Sequence, residues 1–284
     1  MAEQIKISNE KITVYISTRG AEITQLTADG KDIIWEGDPK VWASHAPVLF
    51  PICGALKNDR YTYEGKEYTL EKHGYARFKE FTAESVSADR AVFLLCSDEE
   101  SHKSYPFDYE LRIIYTLKDN KVEVEYSVKN TGNHEMYFSI GAHEGYACPE
   151  GIEDYVIKFE KIEDLICNAV LKDGLSYEQY SVGENTRELP LKYKYFDNDT
   201  LVFLNLKSRS VFLKNKNNGQ KIKVNFDGFD YLLIWTIPNA KYICIEPWCG
   251  LPDFTDCDGN IAHKTGIITL AAGETDVRRH SIEL

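Results

Sequence analysis

The stretch 109–128, YELRIIYTLKDNKVEVEYSV, decides the fold. Its apolar residues occupy every second position from Tyr109 to Leu117 and again from Val122 to Val128, with mostly polar residues between them. Because successive side chains of a β-strand point to opposite faces of a sheet, each half predicts a strand with one buried face. The polar segment KDNK at 118–121 joins the two halves, so the stretch predicts a β-hairpin.

The same alternation recurs along most of the chain. A second hairpin is predicted at 60–70, with its turn at Glu64-Gly65. Shorter runs predict strands at 11–16, 21–26, 91–96, 135–140, 201–206, 210–214, 221–226, 231–237 and 242–245. Helical periodicity predicts only short turns, at 39–44 and 98–104, and the irregular segment 172–199 is predicted to form long surface loops. So many strands without intervening helices predict an all-β protein, an antiparallel sandwich or barrel.

Length and composition leave two organisations open, one large β domain or two smaller ones. The apolar fraction of 43% is sufficient for a large core, and the 18 tyrosines favour strands. Because the chain has no Pro/Gly/Ser-rich linker, repeat or low-complexity block, a single domain over residues 1–284 is the preferred organisation.

Charge and cysteine content exclude several functional classes. The net charge of −12 argues against nucleic acid and anionic membrane surfaces as partners. No secretory signal is visible, and no stretch approaches the roughly 18 apolar residues that span a bilayer. The seven cysteines include no CxxC pair, and Cys244 and Cys249 are not spaced like a zinc ribbon. Free thiols in a reducing cytoplasm are therefore expected.

A carboxylate interrupts the apolar run ICIEPW at 243–248, where it occupies position 246. Burying an ionised Glu246 is costly unless the carboxylate is hydrogen-bonded or the site uses its raised pKa. Trp235 and Trp248 lie nearby in the sequence and offer aromatic faces for a ligand, or pack in the core.

Two histidines stand among small and aromatic residues. His73 lies in KHGYAR at 72–77, and His143 lies in SIGAHEGY at 139–146. Each histidine alone is more often a structural residue than a catalytic one. Together with Glu246 they indicate proton transfer on a polyhydroxylated ligand such as a sugar.

These motifs resemble those of the aldose 1-epimerases (galactose mutarotases), in the subgroup of bacterial LacX-like proteins. The resemblance runs from about residue 10 to the C-terminus, and its carriers are STRGAE at 17–22, APVLFP at 46–51, HGYAR at 73–77, GAH at 141–143 and IEPWCG at 245–250. Each motif is weakly specific alone, and their number and order carry the resemblance. It implies a large antiparallel β-sandwich, the supersandwich, with its site in a groove on one sheet.

The resemblance also implies the roles of individual residues. Glu246 matches the general base, which takes the proton of the C1 hydroxyl, and His143 matches the general acid, which protonates the ring oxygen as the ring opens. His73 matches a histidine that orients the sugar near its ring oxygen. Asp199 is similar in placement to an aspartate that holds sugar hydroxyls, although Asp197 lies only two residues away. The resemblance implies no metal, nucleotide or redox cofactor.

One departure from the family concerns the choice of sugar. Related proteins often carry an arginine shortly after the glycine that matches Gly54, whereas this chain continues with ALKNDR at 55–60. Arg60, Lys57 or Arg77 could take that role, and Arg77 could equally form a buried ion pair. Hexose-6-phosphate mutarotases of the same fold use clustered basic residues, so the lack of a cluster at 51–60 favours an unphosphorylated sugar.

The expected function is therefore mutarotation of a free aldose by a cytoplasmic monomer or homodimer. A first alternative is a non-catalytic sugar-binding or sensing protein of the same fold. A second is a different enzyme, either an epimerase for a modified or phosphorylated sugar or a glycosidase, whose second carboxylate would be Asp199 or Asp253.

Overall fold

Antiparallel strands make up most of the chain, of which the computed structural model describes residues 2–284. Strands account for 53% of the residues and helices for 7%, so the all-β prediction is confirmed. The strands are β1 (Gln4–Ser8), β2 (Ile12–Ser17), β3 (Ile23–Ala28), β4 (Lys31–Asp32), β5 (Arg60–Tyr63), β6 (Lys66–Thr69), β7 (Thr82–Val86), β8 (Arg90–Cys96), β9 (Tyr109–Lys118), β10 (Lys121–Asn130), β11 (Met136–Phe138), β12 (Ile140–Gly141), β13 (Glu144–Ala147), β14 (Tyr155–Leu171), β15 (Gly174–Pro190), β16 (Leu201–Phe203), β17 (Ser210–Asn215), β18 (Lys221–Asn225), β19 (Tyr231–Trp235), β20 (Tyr242–Cys249), β21 (Ile268–Leu270) and β22 (Thr275–Glu283).

Helical structure consists of short 3₁₀ turns at Lys57–Asp59, Ala76–Phe78, Ser101–Lys103, Ile152–Asp154, Tyr193–Phe196 and Ile261–His263. The turn predicted at 98–104 contains one of them, and the segment 39–44 contains hydrogen-bonded turns without a helix. Between residues 2 and 284, no helix is long and apolar enough to span a membrane.

A 14-stranded sheet organises the molecule. Its strand order is β12-β20-β19-β16-β14-β17-β18-β22-β10-β9-β8-β7, while β13 pairs with β20 and β15 pairs with β14. Smaller sheets are formed by β1-β2-β3-β4, by β5-β6 and by β11-β21. The paired strands run antiparallel, as the sequence predicts for a sandwich.

The hairpin at 109–128 forms in the predicted register. Lys118 pairs with Lys121 beside the turn, and Val124 pairs with Tyr115 on the buried face. Burial alternates along β9 and β10, because every second side chain enters the main hydrophobic core. β10 also pairs with β22 on its other side, which places the hairpin inside the large sheet.

The prediction of surface loops at 172–199 is wrong for residues 174–190, whereas residues 191–199 contain a 3₁₀ turn and irregular structure and no strand. Gly174–Pro190 forms β15, which pairs with β14 through several register shifts. Most side chains between Tyr177 and Glu188 are exposed or half-buried, so the strand lacks the apolar alternation by which strands are recognised. The short loop between β14 and β15 reaches the candidate site, so this hairpin bears on function.

Adjacent isoleucines on β9 test which face of the sheet is buried. Ile113 is fully buried, whereas Ile114 points to the other face and is half-buried. Ile113→Ala is expected to lower the free energy of unfolding by about 2–5 kcal/mol, because the deleted side chain leaves a cavity in the core. The matched change Ile114→Ala is expected to lower it less. Urea denaturation measures both values, and equal losses would contradict the assigned faces.

Candidate active site

A cavity of about 450 Å³ opens on the face of the large sheet formed by β19 and β20. This volume lies in the usual range for small-molecule sites, about 300–1,000 Å³. Its walls come from segments that are distant in sequence: Trp42, Ser44, Pro47, Gly54, Ala55, Lys72, His73, Arg77, His143, Val170, Leu171, Lys172, Gly174, Asp199, Thr200, Leu233, Trp235, Glu246, Trp248 and Pro252. The seven predicted site residues therefore share one cavity.

The alternation of β20 directs Glu246 to this cavity. Ile243 and Ile245 pack in the main core, so Cys244 and Glu246 point to the opposite face of the sheet. The sequence prediction ended the strand at Ile245, but β20 continues to Cys249. The carboxylate therefore projects from the middle of a strand rather than from a flexible turn.

His143 lies in the gap between β12 and β13, directly across from Glu246. Gly141 pairs with Trp248 and Glu144 pairs with Ile245, so the two residues between them bridge the gap. Nε2 of His143 lies 3.3 Å from Oε2 of Glu246, and both side chains are buried. The structure thus brings the predicted acid and base into contact.

Burial shifts the two pKa values in opposite directions. It raises the pKa of Glu246 well above its ordinary value; Lys72 opposes this shift, and Glu144 and Asp199 reinforce it. Burial also lowers the pKa of His143 to about 3, with a smaller contribution from Lys72. A lone charge on either group is disfavoured, so the pair is most stable with one proton between the two groups.

His73 is held in a single tautomer by Gly54. Its Nδ1 accepts a hydrogen bond of 3.1 Å from the backbone N–H of Gly54, so the proton of the neutral ring lies on Nε2. Burial, and to a smaller degree His143 and Lys72, lowers its pKa well below the ordinary value. At neutral pH the side chain is therefore a neutral donor that lines the cavity.

Aromatic rings fix the orientation of His143. Trp42 lies against one face, with ring centroids 5.3 Å apart and an interplanar angle of 30°, and Trp235 meets the ring edge-on at 5.8 Å. Trp248 donates its indole N–H to the carbonyl of Ala142 at 3.1 Å and so anchors the preceding backbone. Trp42 is not among the predicted site residues, because nothing in the turn predicted at 39–44 indicates its distant partner.

Asp199 lines the cavity and Asp197 does not, which separates the two candidate aspartates. The backbone of Asp199 has φ +93°, a conformation that non-glycine residues rarely adopt. Such strain often accompanies functional sites, where the surrounding structure holds it in place. The position thus fits a residue that is placed for a ligand.

Arg77 and two lysines bring positive charge to the cavity. Nη2 of Arg77 donates to the carbonyl of Lys72 at 2.8 Å, its Nε is buried without a partner, and its guanidinium lies over Phe78. Within the described residues it forms no ion pair at 4.0 Å or less. Lys72 and Lys172 also line the cavity, and neither is among the predicted site residues.

The other basic candidates lie elsewhere. Arg60 pairs with Glu67 at 2.9 Å on an exposed hairpin, and Nζ of Lys57 donates to a backbone carbonyl at 2.7 Å. Asp253, the candidate second carboxylate of a glycosidase, forms a buried ion pair of 2.5 Å with Lys264 and does not line the cavity. Of the three basic candidates, only Arg77 lines the cavity. Asp253 is not placed for glycosidase chemistry there.

This architecture is that of a galactose mutarotase-like protein with a buried Glu–His pair. Residues 3–282 match the family model for aldose 1-epimerase. Protein LacX (plasmid) of Lactococcus lactis subsp. lactis is 35% identical over 280 residues, covering 93% of each chain. The chain therefore belongs to the aldose 1-epimerase family.

Solved structures show the same fold. A galactose mutarotase related enzyme from Lactobacillus acidophilus superposes with a TM-score of 0.94 at 33% identity, over 99% of this chain and 97% of that one. A galactose mutarotase-like protein from Lactobacillus casei superposes with a TM-score of 0.93 at 28% identity, over 99% of both chains. The sandwich expected from the sequence is confirmed.

Two glycines with the same φ test the support of His73. A Cβ on Gly54 (φ +75°) would lie 2.5 Å from Cγ of Pro252, whereas a Cβ on Gly65 (φ +75°) would meet nothing within 4 Å. Gly65→Ala is expected to lower the free energy of unfolding by about 1–2 kcal/mol through backbone strain alone. Gly54→Ala is expected to lower it more and to weaken sugar binding. Urea denaturation and sugar titration measure both effects; identical behaviour of the two variants would contradict the close contact.

Proposed function

We propose that the protein is an aldose 1-epimerase, a mutarotase that interconverts the α and β anomers of an aldose. The observation that carries the proposal is the buried contact of 3.3 Å between His143 and Glu246 at the wall of a cavity of about 450 Å³. Membership of the aldose 1-epimerase family supports an isomerase. Ring opening and closure move protons and electron pairs only within the sugar and this pair, so the proposed reaction needs no redox partner.

In the proposed reaction, the ionised Glu246 takes the proton of the C1 hydroxyl while the imidazolium of His143 protonates the ring oxygen. The C1–O5 bond breaks and leaves an open-chain aldehyde. After rotation about C1–C2, His143 takes the proton back from the former ring oxygen as that oxygen attacks C1. Glu246 then returns its proton to O1, and the other anomer is formed.

The pair holds one proton at both ends of this reaction. With the ring closed, the reactive arrangement is ionised Glu246 beside protonated His143; with the ring open, the proton lies on Glu246 and the imidazole is neutral. Burial favours this second arrangement, because it raises the pKa of Glu246 and lowers that of His143. The site thereby stabilises the protonation state that accompanies the open sugar, and each acid–base role contributes roughly 10²–10⁴-fold.

Other residues of the cavity are proposed to position the sugar. His73 can donate from Nε2 to the ring oxygen or a neighbouring hydroxyl, because Gly54 occupies its Nδ1. Asp199, which lines the same cavity, can accept hydrogen bonds from sugar hydroxyls. Trp235 and Trp248 offer apolar surface to the C–H faces of the sugar.

Replacement of the proposed base provides the main test. Glu246→Gln keeps the side-chain shape but removes its basicity, so the variant is expected to bind sugar and to lose at least about 100-fold in rate. His143→Asn is expected to lose at least about as much, because the ring oxygen then lacks its acid. Polarimetry of freshly dissolved α-D-glucose and α-D-galactose measures the rate above the spontaneous reaction.

Glu71→Gln is the control for this test, since it removes an exposed carboxylate from a residue that does not line the cavity. It should leave the rate unchanged. Wild-type rates in a correctly folded Glu246→Gln protein would refute the mechanism. A wild-type protein that bound sugar without accelerating anomer exchange would instead be a sugar sensor.

A second candidate is an epimerase for a phosphorylated or acidic sugar. Lys72, Arg77 and Lys172 line the same cavity in a chain of net charge −12, and this local excess of positive charge favours an anionic ligand. The segment 51–60 gives no sign of this group, because the three residues come from other segments of the chain.

Exchange NMR with hexoses and hexose 6-phosphates separates the two candidates. The proposal predicts faster exchange of the free hexoses, and Lys172→Ala should then change the rate by less than about tenfold because a neutral sugar lacks a charged partner. Acceleration of the phosphates alone, lost in Lys172→Ala, would favour the second candidate.

A further inference from the structure

Cys244 lies beside the acid–base pair and has no part in the proposed reaction. Ligand atoms of His143, Cys244 and Glu246, which are one imidazole nitrogen, the thiol sulfur and one carboxylate oxygen, lie within 4.8 Å of one another. The three residues are at most 8% exposed. They come from facing positions of β20 and of the gap that precedes β13, so the sheet holds all three on one face.

We propose that His143, Cys244 and Glu246 form a binding site for Zn²⁺ or a similar thiophilic divalent cation, which inhibits the protein by occupying its acid and base. Imidazole, thiolate and carboxylate are the three side-chain ligands that Zn²⁺ uses in proteins. A soft sulfur ligand selects against Mg²⁺ and Ca²⁺, which prefer oxygen.

The three ligand atoms need to move only a little to bind a tetrahedral zinc ion. With bonds of about 2.0–2.3 Å to a tetrahedral zinc ion, the ligand atoms lie roughly 3.3–3.7 Å apart. The His143–Glu246 contact of 3.3 Å already has this spacing, and the sulfur lies close enough to reach the ion by a small shift. His143 and Glu246 line the cavity, so an ion that binds both lies at the cavity wall.

Charge also favours the ion in this buried place. One thiolate and one carboxylate balance Zn²⁺, and neutral His143 adds no charge, so the occupied site has no net charge. Binding releases the thiol proton and the proton shared by the pair, and no electron is transferred. Lys72 and Arg77 at the cavity oppose a cation, whereas Asp199 and the neighbouring Glu144 favour it.

The inhibition follows from the same geometry. A cation bound to the imidazole and to the carboxylate blocks both lone pairs that the proton transfers need. Because two of its ligands line the cavity in which the sugar is proposed to bind, sugar and cation compete for this cavity. This consequence rests on the proposed function, whereas cation binding itself does not.

Co²⁺ is the spectroscopic probe for binding, because a thiolate–cobalt bond gives a charge-transfer band. Cys96 is exposed and Cys257 is half-buried beside Asp258, so the test uses a C96S/C257S background that removes these competing thiols. One equivalent of Co²⁺ is expected to bind and to give the band. Zn²⁺ should displace it.

Substitution of Cys244 decides between this site and any other. In the same background, Cys244→Ser and Cys244→Ala should abolish the band and weaken Co²⁺ binding at least about tenfold, whereas Cys167→Ser, at a buried cysteine outside the group, should change neither. If neither Cys244 variant folds, His143→Asn in this background should show the same weakening. Absence of the band from the background protein, or an unchanged band in these variants, would overturn the proposal.

Mutarotation gives an independent readout. Zn²⁺ should slow the background protein in competition with sugar, and Cys244→Ser should need at least about tenfold more Zn²⁺ to halve its own metal-free rate. If the protein proves not to accelerate anomer exchange, the cobalt spectra still decide whether the cation site exists.

Discussion

The contact between His143 and Glu246 is the interaction on which the rest of the site depends. Two ionisable groups meet at 3.3 Å inside the fold, where an isolated charge on either is strongly disfavoured. The burial that raises the carboxyl pKa and lowers the imidazole pKa links the groups through one proton. A reversible reaction that exchanges acid and base roles at each half-cycle needs such a pair.

The sheet provides the geometry of this pair. Pro247 has no backbone N–H, and it lies across from the gap between β12 and β13, where its carbonyl accepts the N–H of Ala142 at 3.0 Å. The gap lets His143 project toward Glu246. Trp42 and Trp235 then enclose the imidazole, so the chain keeps a polar pair in place with an aromatic wall.

Local patterns in the sequence predicted the parts of the fold and site that depend on local order. The hairpin at 109–128 follows from the alternation of apolar and polar residues. Glu246 is conspicuous because its carboxylate interrupts an apolar run. The sequence did not predict β15, because a strand that is exposed along much of its length has no apolar alternation. His280 follows two arginines in the sequence, yet it is buried with its Nε2 2.9 Å from Oε1 of Glu144, a partner that lies far away in the sequence.

NMR titration of a protein labelled with ¹⁵N in histidine and ¹³C in glutamate carboxyls tests whether His143 and Glu246 share one proton. If the two groups share one proton, the ring nitrogens of His143 and the carboxyl carbon of Glu246 respond together to pH, with no separate histidine midpoint near the ordinary value of about 6.5. Two independent titrations, with midpoints of about 4.3 for the carboxyl and about 6.5 for the ring, would contradict a shared proton.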